Sequence, residues 1–207
     1  MSQLKLTADS GGGTVAIKGP ASTTGNAALE LTVPSTASDT LDSLKRSGNI
    51  VQVVSVTKKD TASNSTASGA WWSYTDNSLK ITLTPQSASN KIYLTAFFNL
   101  FEATGQWLQF RFEEDGAQID EAVGDAAGNR TRVTGQQLSG QDNNGGRFFM
   151  MSAEVNADST SSRTYNLAFR HTSGVARTLY LNRTGDDTDN IHYGRSISIL
   201  TAMEVAA

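Results

Sequence analysis

Residues 106–123 read Gln-Trp-Leu-Gln-Phe-Arg-Phe-Glu-Glu-Asp-Gly-Ala-Gln-Ile-Asp-Glu-Ala-Val. Leu108, Phe110 and Phe112 alternate with Gln109, Arg111 and Glu113. A period of two places one set against a core and the other in water, which is the signature of a β-strand. The strand ends at Asp115-Gly116, a dipeptide that tolerates the positive φ angles of a two-residue hairpin turn. The chain must therefore double back over 117–123.

The same pattern repeats in both directions. Leu79, Ile81 and Leu83 oppose Lys80, Thr82 and Thr84, while Tyr165, Leu167 and Phe169 oppose Asn166, Ala168 and Arg170. Ile197, Ile199, Met203 and Val205 share one face. Strands are expected at 50–58, 70–75, 78–84, 91–102, 106–114, 117–123, 130–138, 147–155, 163–172, 177–183 and 194–205. Turn residues such as Asp76-Asn77, Gly128-Asn129 and Ser173-Gly174 punctuate them. The fold class this implies is all-β, an antiparallel β-sandwich or jelly roll over 49–207.

The first residues differ in texture. Leu4–Thr7, Thr14–Lys18 and Ala28–Pro34 read as short extended pieces separated by Gly11-Gly12-Gly13 and Gly19-Pro20. With so few large side chains they need a partner to form a core. Residues 1–36 are read as an extended attachment segment and 37–48 as a linker or short helix. Ser38 is its cap, Leu41 and Leu44 its apolar stripe, and Gly48 its stop.

Composition narrows the function. The chain has 207 residues, 17 basic against 20 acidic side chains and a formal net charge of −3, so it lacks the basic stripe of a nucleic-acid footprint. No run reaches the roughly 18 apolar residues of a membrane span, and no membrane insertion is expected. Absent cysteines exclude disulfides and thiolate chemistry. The start, Met1-Ser2-Gln3-Leu4-Lys5, has no apolar run of a secretory signal.

Catalytic patterns are weak. The two histidines, His171 and His192, have no G-x-S-x-G nucleophile turn to serve and are read as structural or surface residues. Glu113, Glu114, Asp115, Asp120, Glu121 and Asp125 cluster at one hairpin, where Glu113 and Asp120 invite comparison with a glycosidase pair. Charged hairpin ends serve solubility just as well. Asp186, Asp187, Asp189 and Asn190 offer oxygens to a hard cation, without the spacing of a calcium loop. Asp186, Asp187 and Arg183 offer equally well to pair with Arg130 or Arg132 of a neighbouring copy. No cofactor and no metal are expected, and the protein is read as non-enzymatic.

Two features point to association instead. In 91–102, Ile92, Leu94, Ala96, Phe98 and Leu100 form one apolar face, yet Tyr93, Phe97 and Phe101 occupy the other. Phe148, Phe149, Met150 and Met151 likewise place large apolar groups on both faces. A sheet in a sandwich has one buried side, so Tyr93, Phe97, Phe101, Phe148 and Met150 are candidate subunit-interface residues of a homotrimer. Trp71, Trp72 and Tyr74 are candidate receptor or glycan contacts, because adjacent strand residues face opposite ways and one tryptophan must look outward.

Several stretches carry a resemblance. Leu4-Lys5-Leu6-Thr7, Gly11-Gly12-Gly13-Thr14-Val15, Gly19-Pro20 and Ala28-Leu29-Glu30-Leu31-Thr32-Val33-Pro34 open the chain. Ile50–Ser55, Leu83–Ile92, Gly124–Arg132, Tyr180–Gly185 and Ile199–Val205 come after them in order. Together they resemble the fibre-like virion proteins of tailed bacteriophages. The resemblance implies a jelly-roll-like tip, commonly trimeric, docked on other virion proteins through the N-terminal segment and assembled in the host cytoplasm. The repeats of long tail fibres are missing here. A short tail fibre or spike fits this length better, one that attaches to the host through a surface glycan or protein. The alternatives are a capsid decoration protein and a glycan-degrading tailspike.

Overall fold

A computed structural model describes residues 3–7, 14–18, 47–73, 78–139 and 147–207. The chain divides into two units, Met1–Asp42 and Ser43–Ala207. In the first, β1 (Gln3–Thr7) and β2 (Thr14–Lys18) pair antiparallel, Gln3 opposite Lys18 and Thr7 opposite Thr14. These are the first two extended pieces expected from the sequence. The third, Ala28–Pro34, and the helix expected at 38–46 lie outside the described residues, as does Tyr74.

In the second unit the strands run β3 (Ile50–Lys58), β4 (Ala62–Thr66), β5 (Lys80–Leu83), β6 (Lys91–Phe101), β7 (Trp107–Glu114), β8 (Ala117–Gln118), β9 (Gly135–Leu138), β10 (Arg147–Asn156), β11 (Arg163–His171), β12 (Arg177–Leu181) and β13 (Ser198–Val205). Their pairing is nested. The first strand of the unit pairs with the last, β3 with β13; inside that, β5 pairs with β11, β6 with β10 and β7 with β9. All are antiparallel. Rolled up, this long hairpin gives two sheets, β3-β13-β6-β10 and β5-β11-β7-β9, the arrangement of an eight-stranded jelly roll. The short strands β4 and β12, distant in the chain, pair antiparallel with each other and join the first sheet through β6, with Tyr180 and Leu181 opposite Phe101 and Leu100.

The core lies between the sheets. Phe98 of β6 meets Phe110 of β7 and Phe169 of β11 at ring-centroid distances of 5.2 and 5.1 Å, and Phe110 meets Phe149 of β10 at 4.5 Å. Leu94, Leu100, Leu108, Phe112, Leu167 and Leu200 are fully buried around them. In β6, β7 and β11 these are the inward residues of the alternating runs; in β13 the apolar Ile199 and Met203 face outward and Leu200 and Ala202 fill the core instead.

Asp115 and Gly116 take φ of 50° and 82° and join Glu114 to Ala117, the tight hairpin their identity demands. Beyond Gln118 the return strand stops. A 3-10 turn at Asp120–Ala122 replaces the rest of the expected 117–123 strand, and β9 keeps only the last four residues of 130–138. Among the described residues of the expected 70–75 strand, 70–73, the pairing is a single bridge, Trp72 to Phe169. β4, of sequence Ala-Ser-Asn-Ser-Thr, carries no apolar alternation; its pairing with β12 makes it a strand.

Buried carboxylates tie loops to sheets. Glu204 of β13 is fully buried and accepts from Gln52 Nε2 (2.5 Å), Asn90 Nδ2 (2.6 Å) and the Gln86 amide (2.7 Å). Burial pushes its carboxyl up, but these donors and the Ser87 amide outweigh it and hold the group below its ordinary value. Glu102, at the β6–β7 turn, accepts from Thr104 Oγ1 (2.6 Å), the Thr104 and Gln106 amides (3.0 and 3.2 Å) and Ser139 Oγ (3.2 Å).

Candidate functional site

The outer face of the β3-β13-β6-β10 sheet is built by registers that align like residues in rows. One row sets Met150, Phe97, Ile199 and Thr57 across four strands. The next sets Ser152, Thr95, Thr201 and Ser55 side by side, with Ser55 and Thr201 hydroxyls 2.9 Å apart. A third sets Glu154, Tyr93, Met203 and Val53. Phe148 stands past the first row and stacks on Phe97 at 5.2 Å. Lys91 and Glu154 bring charge to one end, where they approach to 3.6 Å. Glu154 also hydrogen-bonds the Tyr93 hydroxyl, which holds that phenol above its ordinary value.

The face is open in the single chain. Met150 is 82% exposed, Phe148 60%, Phe97 39% and Tyr93 37%. Val53 and Ile50 add exposed aliphatic surface on β3. Four of the five residues singled out from the double-sided pattern therefore share one surface.

Phe101 departs from that expectation. It is 1% exposed, roofed by the chain after β12. Its ring lies against Tyr180 at 6.1 Å and so near Gly185 that a Cβ there would sit 2.8 Å from it. Asn182 pins this segment: at φ 61° it is fully buried, donates to the Lys58 and Asp60 carbonyls at 3.0 Å and accepts from Ser198 Oγ at 2.6 Å. Phe101 is thus a core residue of the chain itself, removed from any subunit contact.

The tryptophan pair divides as its alternation requires. Trp72 is a core residue, 1% exposed and edge-on to Phe169 at 5.9 Å, so it is no glycan contact. Trp71 faces outward across the second sheet. Arg111 and Arg170 lie over its ring at 4.1 and 5.0 Å, so it is half-buried beneath two cations. Burial, then repulsion from Arg111, pulls the Arg170 guanidinium below its ordinary value. Glu113 anchors Arg111 at 2.6 Å and is itself buried, accepting from Asn166 at 2.9 Å and from Ser73.

That geometry also removes Glu113 from the hydrolytic pair considered with Asp120. Asp120 is exposed and bound to Arg132 at 2.9 Å. His171 is fully buried; its Nε2 donates to the Thr66 carbonyl at 3.0 Å and its Nδ1 lies 3.0 Å from Ser173 Oγ. Asp187 joins Arg183 (3.4 Å) and Arg195 (2.7 Å) of its own chain, and Arg132 binds Asp120 of its own chain at 2.9 Å. Among the described residues no group of three or more metal-ligating side chains converges.

Sequence reasoning missed the cleft beside this segment. Asn99, Phe148, Arg183, His192, Arg195 and Ser196 line a recess of about 240 Å³ where the segment meets the outer face of β6 and β10. No motif marks it, because its residues come from three separate parts of the chain.

No protein-family model matches the chain, and no curated protein matches it. Among solved structures the chain is similar to the EclA C-terminal domain, a sugar-binding protein, with a TM-score of 0.31, 12% identity, and coverage of 82% of this chain and 89% of that one. It is also similar to the VP2 subviral particle of infectious bursal disease virus (TM-score 0.40, 13% identity) and to the virus of the Gx strain (0.39, 12%). Each of those matches covers 94% of this chain, which spans about half the length of the viral chains, 47%. Overlaps this loose transfer no activity, and the jelly-roll assignment rests on the strand registers.

Proposed function

We propose that the protein is a non-enzymatic structural component of a tailed-phage virion, a short tail fibre or spike that mediates host attachment as a homotrimer. The observation that carries self-association is the outer face of β3, β13, β6 and β10. It presents Met150, Phe97, Tyr93 and Val53 around a row of hydroxyls, with Lys91 and Glu154 at one end and Phe148 standing past the first row at the other. Such a face favours burial against neighbouring copies around a three-fold axis, where its apolar groups leave water and its hydroxyls can bond to the neighbours. The virion assignment draws on the ordered landmarks shared with phage fibre proteins and on the jelly roll, an architecture used by viral coat and lectin domains. The N-terminal unit with its β1–β2 pair docks on other virion proteins, and the second unit faces the host. Sedimentation of the full chain should give three times the 22.1 kDa protomer mass. Immunogold labelling should then place it at the tail; a monomer, or a particle without label, overturns the reading.

A second reading, capsid decoration, uses the same trimer without a receptor. The same labelling experiment separates the two, because decoration puts gold over the head.

A further inference from the structure

The recess between the 182–196 segment and the first sheet has features that the associating face does not need. Asn99 continues the outward series Tyr93, Thr95, Phe97, so its side chain points into the space roofed by that segment. It is 94% buried, being 6% exposed. The Ser196 hydroxyl is shielded from solvent and has no hydrogen-bond partner among the described residues. Buried polar groups are normally satisfied, and an unsatisfied one lining a cleft marks a place for an external donor-acceptor.

The charged groups are held in place. Arg183 lies over the Tyr180 ring at 4.5 Å and touches Asp187 through Nη1 alone. Arg195 reaches the same carboxylate from the other side and has one long contact, 3.4 Å, to Thr61 Oγ1. Two guanidiniums share one carboxylate, so the rim keeps one positive charge and several free N–H donors, which suit a carboxylate ligand. Phe148, 60% exposed, supplies an apolar ring at the mouth. A ring beside amide, hydroxyl and guanidinium donors matches the mixed surface of a sugar, whose C–H face stacks while its hydroxyls bond.

We propose that this cleft binds one carboxylate-bearing sugar unit of a host surface polysaccharide. Arg183 receives the carboxylate, Asn99 and Ser196 bond ring hydroxyls, and Phe148 carries the ring face. At about 240 Å³ the space lies below the roughly 300–1,000 Å³ of drug-sized sites, so it suits a single unit. This inference rests on the attachment reading and names its ligand class. It also moves the glycan contact away from Trp71 and Trp72, which are engaged by arginines and core.

The test is a TROSY NMR titration of the full chain with D-glucuronate, D-glucose and acetate. Glucuronate should shift the amides of Asn99, Arg183 and Ser196 with a Kd of about 1 mM, a weak single contact that many copies on a particle would strengthen. Arg183→Gln should weaken it about tenfold or more. Ser196→Ala should weaken it several-fold with an unchanged melting temperature, because that hydroxyl bonds nothing within the protein. Glucose or acetate binding as tightly as glucuronate would overturn the proposal. So would silence at these amides up to roughly 20 mM, about twenty times the expected Kd. The attachment reading fails separately: if glucuronate binds but the full chain does not block particle adsorption to cells, the cleft stands and that reading falls.

Discussion

Single residues set the pH limits of this fold. Tyr165 is fully buried in β11, and burial, opposed by Arg163 and reinforced by Glu114, pushes its hydroxyl from 10.0 up to about 12. The protonated form is favoured in the folded chain. Its contribution is complete below pH 10 and is lost as pH rises through 12, an effect on the order of 2 kcal/mol. Tyr165→Phe should flatten that alkaline limb in denaturant titrations at pH 9–12. Glu204 works in the opposite sense. Its folded pKa is depressed from 4.5, so its contribution is present above that value and is lost as pH falls below it. Glu204→Gln should lower stability at pH 7 while making the acid limb shallower; an unchanged limb would show that another carboxylate governs it. Gly185 is a steric case. A methyl group there meets the buried Phe101 ring at 2.8 Å, and Gly185→Ala should cost about 1–3 kcal/mol in chemical denaturation.

At the scale of elements, neighbouring residues diverge because a strand turns them apart. The extended backbone at 71–72 docks on β11 by two bonds, Trp72 N–H to the Phe169 carbonyl at 2.7 Å and Phe169 N–H to the Trp72 carbonyl at 3.1 Å. That bridge drives Trp72 inward and leaves Trp71 under Arg111 and Arg170. Trp72→Ala should lower stability by about 3–5 kcal/mol, whereas Trp71→Ala should lose about 1 kcal/mol or less, the worth of a partly exposed cation–π contact. Thermal melts of the two variants side by side decide it, and equal losses would contradict the placement. The same alternation was legible in the residues for β6, β7, β11 and β13. It was not legible for β4, whose polar sequence becomes a strand only because β12 offers an edge.

For the whole molecule, the exposed face of the first sheet is the main consequence of the fold. Phe97→Asp with Met150→Asp puts two charges into the row that crosses four strands. Neither residue supports the core of its own chain, since Met150 is 82% exposed and Phe97 lies on the same outer face. The double variant should keep the wild-type circular dichroism and sediment as a monomer. If the wild type proves trimeric and the double variant stays so, association uses another surface. An interface of the size stable assemblies need, upward of about 1,000 Å², spans most of such a face. The large apolar residues on the far side of β6 and β10 mark one outward face, with one exception. Tyr93, Phe97, Phe148 and Met150 lie on it; Phe101 does not, because Asn182 folds the next segment over it.

The order of apolar and polar residues determined, by itself, that this chain forms antiparallel strands, which side of β5, β7 and β11 faces the core, and where Asp115-Gly116 reverses direction; in β13 the apolar Ile199 and Met203 face outward instead. These are local matters, fixed by the two-residue repeat of an extended backbone and by the φ angles a side chain permits. Only the tertiary structure decided which strands pair, since nesting β3 with β13 and β6 with β10 joins distant stretches of chain that carry no mutual signature. It alone buried Phe101 and Trp72, paired Asp187 within the chain, and gathered Asn99, Phe148, Arg183 and Ser196 around one cleft. Each of those depends on which distant segment arrives as a neighbour, and periodicity along one strand holds no record of that.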